Sequence, residues 1–169
     1  MSPPDVTVAA LVERHGQFLL VEERINGRLV FNQPAGHVEP GETLLQAVVR
    51  ETWEETAWRL TVESFLGTYL WRHPGNGRAS LRFAFIGSVS GHDPAQPLDR
   101  GIVRTHWLDR DSLAALGVRL RSPLVLRCVD DYLAGQRLPL TEVGGLDINS
   151  ARGVRAVNVE NATQNVRSV

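Results

Sequence analysis

Cysteine is almost missing from this sequence: Cys128 is the only one in 169 residues. That excludes an internal disulfide framework and a cysteine-based zinc site. Its neighbours Val125, Leu126 and Val129 make it a packed thiol rather than a nucleophile. An excess of charge of either sign is also lacking. The net charge is −1, so long-range attraction to a polyanion is not what the chain relies on, and any nucleotide must be held locally. The opening residues, Met1-Ser2-Pro3-Pro4-Asp5, lack the basic and apolar character of a signal segment. No run approaches membrane-spanning length. The cytoplasm is therefore the expected compartment, with no membrane partner. What remains is ordinary, 43% hydrophobic and 22% charged, a composition expected of one globular domain with a proper core.

The periodicities divide the chain into strands and about three helices. Val6 to Glu13 is a short apolar run that fits a buried strand, and Gln17 to Glu22 resumes it after His15-Gly16 as a hairpin. An Asn26-Gly27 turn leads to extended structure at Leu29 to Phe31. Pro34 and Gly36 exclude a helix over Gln33 to Val38. A turn at Pro40-Gly41 and a capping-capable Thr43 then introduce a helical pattern from Leu44. Phe65 to Arg72 and Ser80 to Val89 predict a second hairpin, and Ile102 to Leu108 another strand, followed by a short helix from Asp111. Ser122 as N-cap and Pro123 at the first helical position start a helix that stops at Gly135. Residues 147–169 are rich in Asn and Arg without periodicity, and are read as a poorly packed tail to a domain spanning 1–146, with a docked strand at Val154 to Val159 as the alternative. The mixture predicts an α/β domain with a mixed sheet.

Lysine is absent from residues 36–57, where Arg50 is the sole base among a concentration of glutamates. At about 100° per residue, with Glu51 at zero, Glu54 falls at about −60° and Glu55 at about +40°. Leu45, Val48, Val49 and Thr52 centre at about +110°, which predicts a separate apolar stripe and an adjoining acidic face. Repulsion between carboxylates at these spacings costs roughly a few tenths of a kcal/mol per pair in water, and more beside a core. A divalent cation reverses the sign of that term. Clustered carboxylates with few His or Cys select a hard ion, so Mg²⁺, with Mn²⁺ able to substitute, is the expected cofactor.

The spacing is more specific than the charge. Gly36, five residues, Glu42, seven residues, Arg50-Glu51 and then Glu54-Glu55 agree with the Nudix box at six positions, an agreement on the order of 10⁻⁷ or lower by chance at one start. The sequence resembles a Nudix hydrolase. The resemblance implies a Nudix-type α/β/α sandwich carrying the box as a loop and helix. It implies metal ligands Glu51, Glu54 and Glu55 with the Gly36 carbonyl, and Arg50 paired to Glu42 to hold a carboxylate in place. It implies hydrolysis of a nucleoside diphosphate linked to another group by metal-assisted attack of water on phosphorus, with one of Glu51, Glu54 and Glu55 taking the proton. Two positions depart from the family. Ala57 stands where its box has a helix-stopping glycine, at a cost of about 1 kcal/mol or an overrun of the helix. Gly101 stands where an acidic residue is common, with Asp99 the candidate substitute.

Beyond the box, residues 21–44, 120–125 and 135–140 resemble the bacterial NudJ-type phosphatase branch. That likeness implies removal of terminal phosphate from nucleoside tri- and diphosphates and from thiamine-type (hydroxymethylpyrimidine) diphosphates. Other pyrophosphohydrolase activities of the family, on ADP-ribose, oxidised dGTP or RNA ends, and a non-catalytic regulator are the alternatives. RNA is the least expected of these, because no basic stripe is present and no stable nucleic-acid partner is implied. A monomer or homodimer is expected. Candidate substrate contacts are Arg24, Arg28, His37, Trp71, Arg82 and Arg121, with Phe31 and Tyr69 as further rings able to stack.

Overall fold

The computed structural model describes residues 3–143, and the tail at 147–169, with its alternative strand, lies outside them. Seven strands form one mixed sheet: β1 (Asp5–Arg14), β2 (Gln17–Ile25), β3 (Arg28–Asn32), β4 (Ala35–His37), β5 (Arg59–Arg72), β6 (Ala79–Ser90) and β7 (Ile102–Asp109). The order is β3-β2-β1-β6-β5, with β4 on β1 and β7 on β2. β1 and β6 are parallel from Asp5↔Ser80 to Val12↔Gly87, and the other pairs are antiparallel. The two short reverse turns follow from local chemistry. His15-Gly16 and Asn26-Gly27 take positive φ in succession, the twist that two-residue hairpin loops require.

β1 reads as an unbroken apolar run because it is covered on both sides. Val8, Ala10 and Val12 pack with Ala47 and Val48 of α1 (Leu44–Thr56), whereas Leu11 packs with Leu113 of α2 (Arg110–Ala115) and Val125, Cys128 and Val129 of α3 (Leu124–Leu133). The result is an α/β/α sandwich. Cys128 is buried in the second layer, where burial pushes its thiol up to about 11, so it is an inert packing group. No helix among the described residues is long and apolar enough to cross a membrane.

The structure corrects several boundaries. β5 begins at Arg59, six residues before the expected strand. α2 starts at Arg110, with the Asp109 side chain accepting from the Ser112 N–H at 2.7 Å. Ser122 does not cap α3 with its side chain: Pro123 occupies the cap position, and the Ser122 hydroxyl has no partner among the described residues.

α1 opens on a reciprocal cap, the Thr43 hydroxyl accepting from Gln46 N–H and the Gln46 side chain accepting from Thr43 N–H. It does not overrun. Ala57 adopts φ 57°, ψ 20° and returns its N–H to the Trp53 carbonyl at 2.8 Å. An alanine is therefore held in the left-handed region that a glycine occupies freely, at a cost of about 1–2 kcal/mol. Ala57 is buried, so loss of its methyl offsets about 0.8 kcal/mol of any gain. Ala57→Gly is expected to raise the unfolding free energy by up to about 1 kcal/mol in urea denaturation, without changing turnover.

Candidate active site

The separate acidic face expected for α1 is not what forms. Glu51 and Glu55 are buried together with Ala47, Val48, Thr52 and Thr56, and only Glu54 is substantially open. Packing of α1 against β1, β4 and β5 puts the carboxylates into the seam between helix and sheet. A helical wheel cannot show this, because it has no second element.

Arg50 organises that seam. Its Nε and Nη2 donate to the two oxygens of Glu42 at 2.7 and 2.9 Å, a bidentate pair. Its Nη1 donates to Glu51 at 2.8 Å and Glu54 at 3.0 Å, and Nη2 also reaches the His37 carbonyl at 3.0 Å. The guanidinium is thereby held above its ordinary pKa, chiefly by Glu42 against the opposing effect of burial. Burial pushes Glu42 up, but the bonds from Arg50 and from the Glu39 N–H outweigh it and leave the carboxyl low. One cation thus ties the loop before α1 to two carboxylates on the helix.

Oxygens of Glu51, Glu54 and Asp99 lie within 4.8 Å of one another. Asp99 arrives because its N–H donates to the Glu54 carbonyl at 2.9 Å, while the Ile102 N–H returns to the Asp99 carbonyl at 3.0 Å. Gly101 takes φ +98° in this turn, and its carbonyl accepts from Arg24 N–H at 2.8 Å. The path of the loop thus brings an acidic residue two positions before Gly101 up to Glu51 and Glu54. An all-oxygen donor set of this size fits a hard divalent cation.

Gly36 stands beside Glu51 so closely that a Cβ built there would overlap its carboxyl group. The backbone of β4 therefore comes up against the acidic cluster. Glu55 lies deeper and accepts from the Ala35 N–H at 2.9 Å. Burial pushes its carboxyl up to about 9; the Ala35 bond opposes this, and the charges of Glu51, Glu23 and Asp99 add to it. Glu51 is likewise raised, mainly by burial.

These shifts carry a stability consequence. The folded metal-free protein keeps on Glu55 a proton that the unfolded chain releases near 4.5. The native state therefore binds more protons between that value and about 9, and stability falls as pH rises through the window. Melting curves in chelator should show a midpoint that declines from pH 5 to pH 9, and Glu55→Gln should flatten the decline. A midpoint that rises with pH over this range would contradict the burial of an uncompensated carboxyl.

The remaining candidates are unevenly placed. Arg82 is buried, and Arg121 lies 3.6 Å from Glu23. Arg24 is exposed and joins the Asp99 loop through its backbone; His37 is exposed and meets Arg50 through its carbonyl. Arg28 is exposed at the β2–β3 turn, and Trp71 stands opposite Ser80 with its ring 5.3 Å from His73. Neither is joined to the acidic cluster by a hydrogen bond or ion pair among the described residues. Phe31 is buried, with the Arg119 guanidinium 4.8 Å over its ring, and Tyr69 donates to Asp131 at 2.9 Å. Both rings are thus engaged in internal contacts. Sequence reasoning passed over Asn32 and Gln33, buried polar residues that both hold Arg82. Two adjacent amides at the end of an apolar strand and just ahead of Pro34-Ala35-Gly36 were the available signal.

The family model of the NUDIX domain matches residues 1–127. The chain is 40% identical over 154 residues to Phosphatase NudJ of Escherichia coli (strain K12), spanning 91% of this chain and 99% of that protein. The protein of the same name from Shigella flexneri gives the same figures. Among solved structures, a NUDIX hydrolase from Nitrosomonas europaea has 47% identity and a TM-score of 0.80, over 82% of this chain and 94% of that one. A UDP-X diphosphatase at 19% identity, with a TM-score of 0.66 over 82% of this chain and 66% of its own, shares the fold.

Proposed function

This chain belongs to the Nudix hydrolase family, and from that premise we propose that it is a Mg²⁺-dependent phosphatase removing terminal phosphate from nucleoside tri- and diphosphates and thiamine-type diphosphates. Hydrolysis of phosphoric anhydrides is common ground for the family and its NudJ relatives. The finer reading rests on the 40% identity to Phosphatase NudJ across nearly the whole of both chains, together with the Glu51, Glu54 and Asp99 cluster.

A bound divalent cation would neutralise phosphate oxygens, stabilise the leaving phosphate and lower the pKa of the attacking water. Glu51, Glu54 and Asp99 would hold it, with the Gly36 carbonyl and Glu55 close by. Arg50 keeps Glu51 and Glu54 in register through bonds of 2.8 and 3.0 Å, so little reorganisation is needed when substrate arrives. The water's proton passes to a carboxylate of this set. Arg82 and Arg121 serve the substrate from the β6 and α3 side, and Arg24 from the edge next to the Asp99 loop.

Asp99→Asn tests the ligand that lies outside the box. It is expected to raise the Mg²⁺ concentration for half-maximal rate and to lower kcat by about 10–100-fold. A wild-type metal titration would remove Asp99 from the site. The reaction itself is tested by a product assay with Mg²⁺ across nucleotides, ADP-ribose and thiamine diphosphate. Orthophosphate release from nucleotides and thiamine diphosphate supports the phosphatase, whereas pyrophosphate plus a monophosphate from nucleoside triphosphates, or AMP plus ribose phosphate from ADP-ribose, would sink it in favour of a pyrophosphohydrolase.

A further inference from the structure

Three buried side-chain atoms have no hydrogen-bond partner among the described residues: Glu23 Oε1, Arg82 Nε and Ser122 Oγ. Unsatisfied buried polar atoms are costly and uncommon, and these three come from parts of the chain that meet in one place. Arg82 Nη1 donates to the Gln33 carbonyl oxygen at 3.0 Å, and the Gln33 amide donates to Val125 O at 2.7 Å, in the first turn of the helix that Ser122 precedes. Arg82 Nη2 donates to Asn32 at 3.0 Å, and Asn32 pairs with Val21, two residues before Glu23. Arg121, next to Ser122, stands 3.6 Å from the Glu23 carboxylate, too far for a hydrogen bond.

The charges are as unusual as the orphaned atoms. Arg82 is 6% exposed and forms no ion pair among the described residues; the neutral amides of Asn32 and Gln33 fix its guanidinium, and the Cys128 thiol lies against it. A buried cation held this way costs several kcal/mol unless something else compensates it. Glu23 contrasts with its neighbour Glu22, which is buried but accepts from Arg104 and His106, both at 2.9 Å. Burial pushes Glu23 above its ordinary value, and Arg121 and Arg82 pull it back. The three orphaned atoms are closed to solvent as they stand, and the Glu23 and Arg121 side chains, which keep 18% and 48% of their exposure, mark the side from which a ligand would reach them. It also adjoins the acidic seam. The Glu23 charge acts on Glu55, and Gln33 is two residues from Ala35, whose N–H holds Glu55.

We propose that Glu23, Arg82 and Ser122 are specificity-determining residues that read the group carried on the diphosphate, a nitrogen heterocycle presenting a hydrogen-bond acceptor beside an N–H donor. This rests on the phosphohydrolase reading above for the position of the phosphates. Arg82 Nε and the Ser122 hydroxyl donate to the heterocycle's acceptor, and Glu23 accepts its N–H. A second phosphate is excluded because the Glu23 carboxylate would repel it. An apolar group would leave all three atoms unsatisfied. A flat, rigid edge meets a fixed donor and a fixed acceptor with less loss of conformational freedom than sugar hydroxyls do. The discrimination is strong in kind, because a site built to hydrogen-bond its ligand penalises an analogue that leaves its polar groups unpaired.

The test compares kcat/KM for CTP and thiamine diphosphate with kcat/KM for two controls without a heterocycle, inorganic tripolyphosphate and a simple alkyl diphosphate. Wild type is expected to prefer the heterocyclic substrates. Glu23→Gln and Arg82→Gln are each expected to lower that preference at least about tenfold, mainly through KM, and Ser122→Ala by a smaller factor. Glu23→Gln is nearly isosteric and partly exposed, so it keeps the test decisive if Arg82→Gln does not fold. A preference unchanged within about twofold in folded Glu23→Gln, or no preference in wild type, overturns the proposal. If wild type hydrolyses nothing with Mg²⁺ or Mn²⁺, the phosphohydrolase reading fails by itself. The heterocycle site is then judged by saturation-transfer NMR with cytidine and hydroxymethylpyrimidine, which carry no phosphate. Transfer in wild type that is lost in Glu23→Gln supports it, and absence of transfer in wild type overturns it.

Discussion

Glu54→Gln is expected to lower kcat by about 10³-fold, roughly 4 kcal/mol of transition-state stabilisation, while leaving the protein at least as stable in chelator. The two halves of this expectation have one cause. Glu54 keeps 34% side-chain exposure and contributes little packing, and its charge faces Glu51 and Asp99 across less than 4.8 Å. Its removal relieves repulsion in the metal-free protein and deletes a ligand from the loaded one. The bond from Arg50 survives in weakened form, because the Gln carbonyl can still accept from Nη1. Steady-state rates, with melting curves recorded in chelator and in Mg²⁺, separate the effects: the stabilisation that Mg²⁺ gives wild type should largely vanish in the variant. Unchanged turnover would refute the metal role assigned to this helix.

Gly36→Ala is expected to cost at least about 10²-fold in kcat/KM, with a much smaller change in melting temperature. The added Cβ would overlap the Glu51 carboxyl group, which is the far end of a flexible side chain and can swing aside cheaply. Swinging aside takes it away from Glu54 and Asp99 and out of the 2.8 Å bond from Arg50. Gly36 has no positive φ, so the requirement for glycine here is close approach and not backbone strain. Full activity in this variant would show that Glu51 does not need its present position. A large loss of stability would show that the carboxyl group cannot move.

The box was legible from the one-dimensional string because its parts are local. Thr43 and Gln46 cap α1, Arg50 reaches Glu54 one turn on, and Glu42 sits eight residues before Arg50. Spacings this short survive as fixed distances in any helix entered by a loop. The buried strand β1, the two tight hairpins and the stop of α3 before Gly135 were legible for the same reason.

What the sequence by itself determined is thus the α/β class, the helix with its cap and the set of carboxylates that one guanidinium can organise. Tertiary structure alone decided how widely that helix is covered, burying Glu51 and Glu55 as well as Val48 and Thr52 of the stripe that a wheel assigned to the core. It decided that Asp99, more than forty residues from the helix, completes the cluster through a bond to the Glu54 carbonyl. It likewise brought Arg121, next to Ser122, beside Glu23, and set Arg82 on Asn32 and on the Gln33 that reaches the first turn of α3. The physical reason is common to all three: desolvation and long-range contact are properties of the packed chain, and neither has a period or a spacing that the sequence displays.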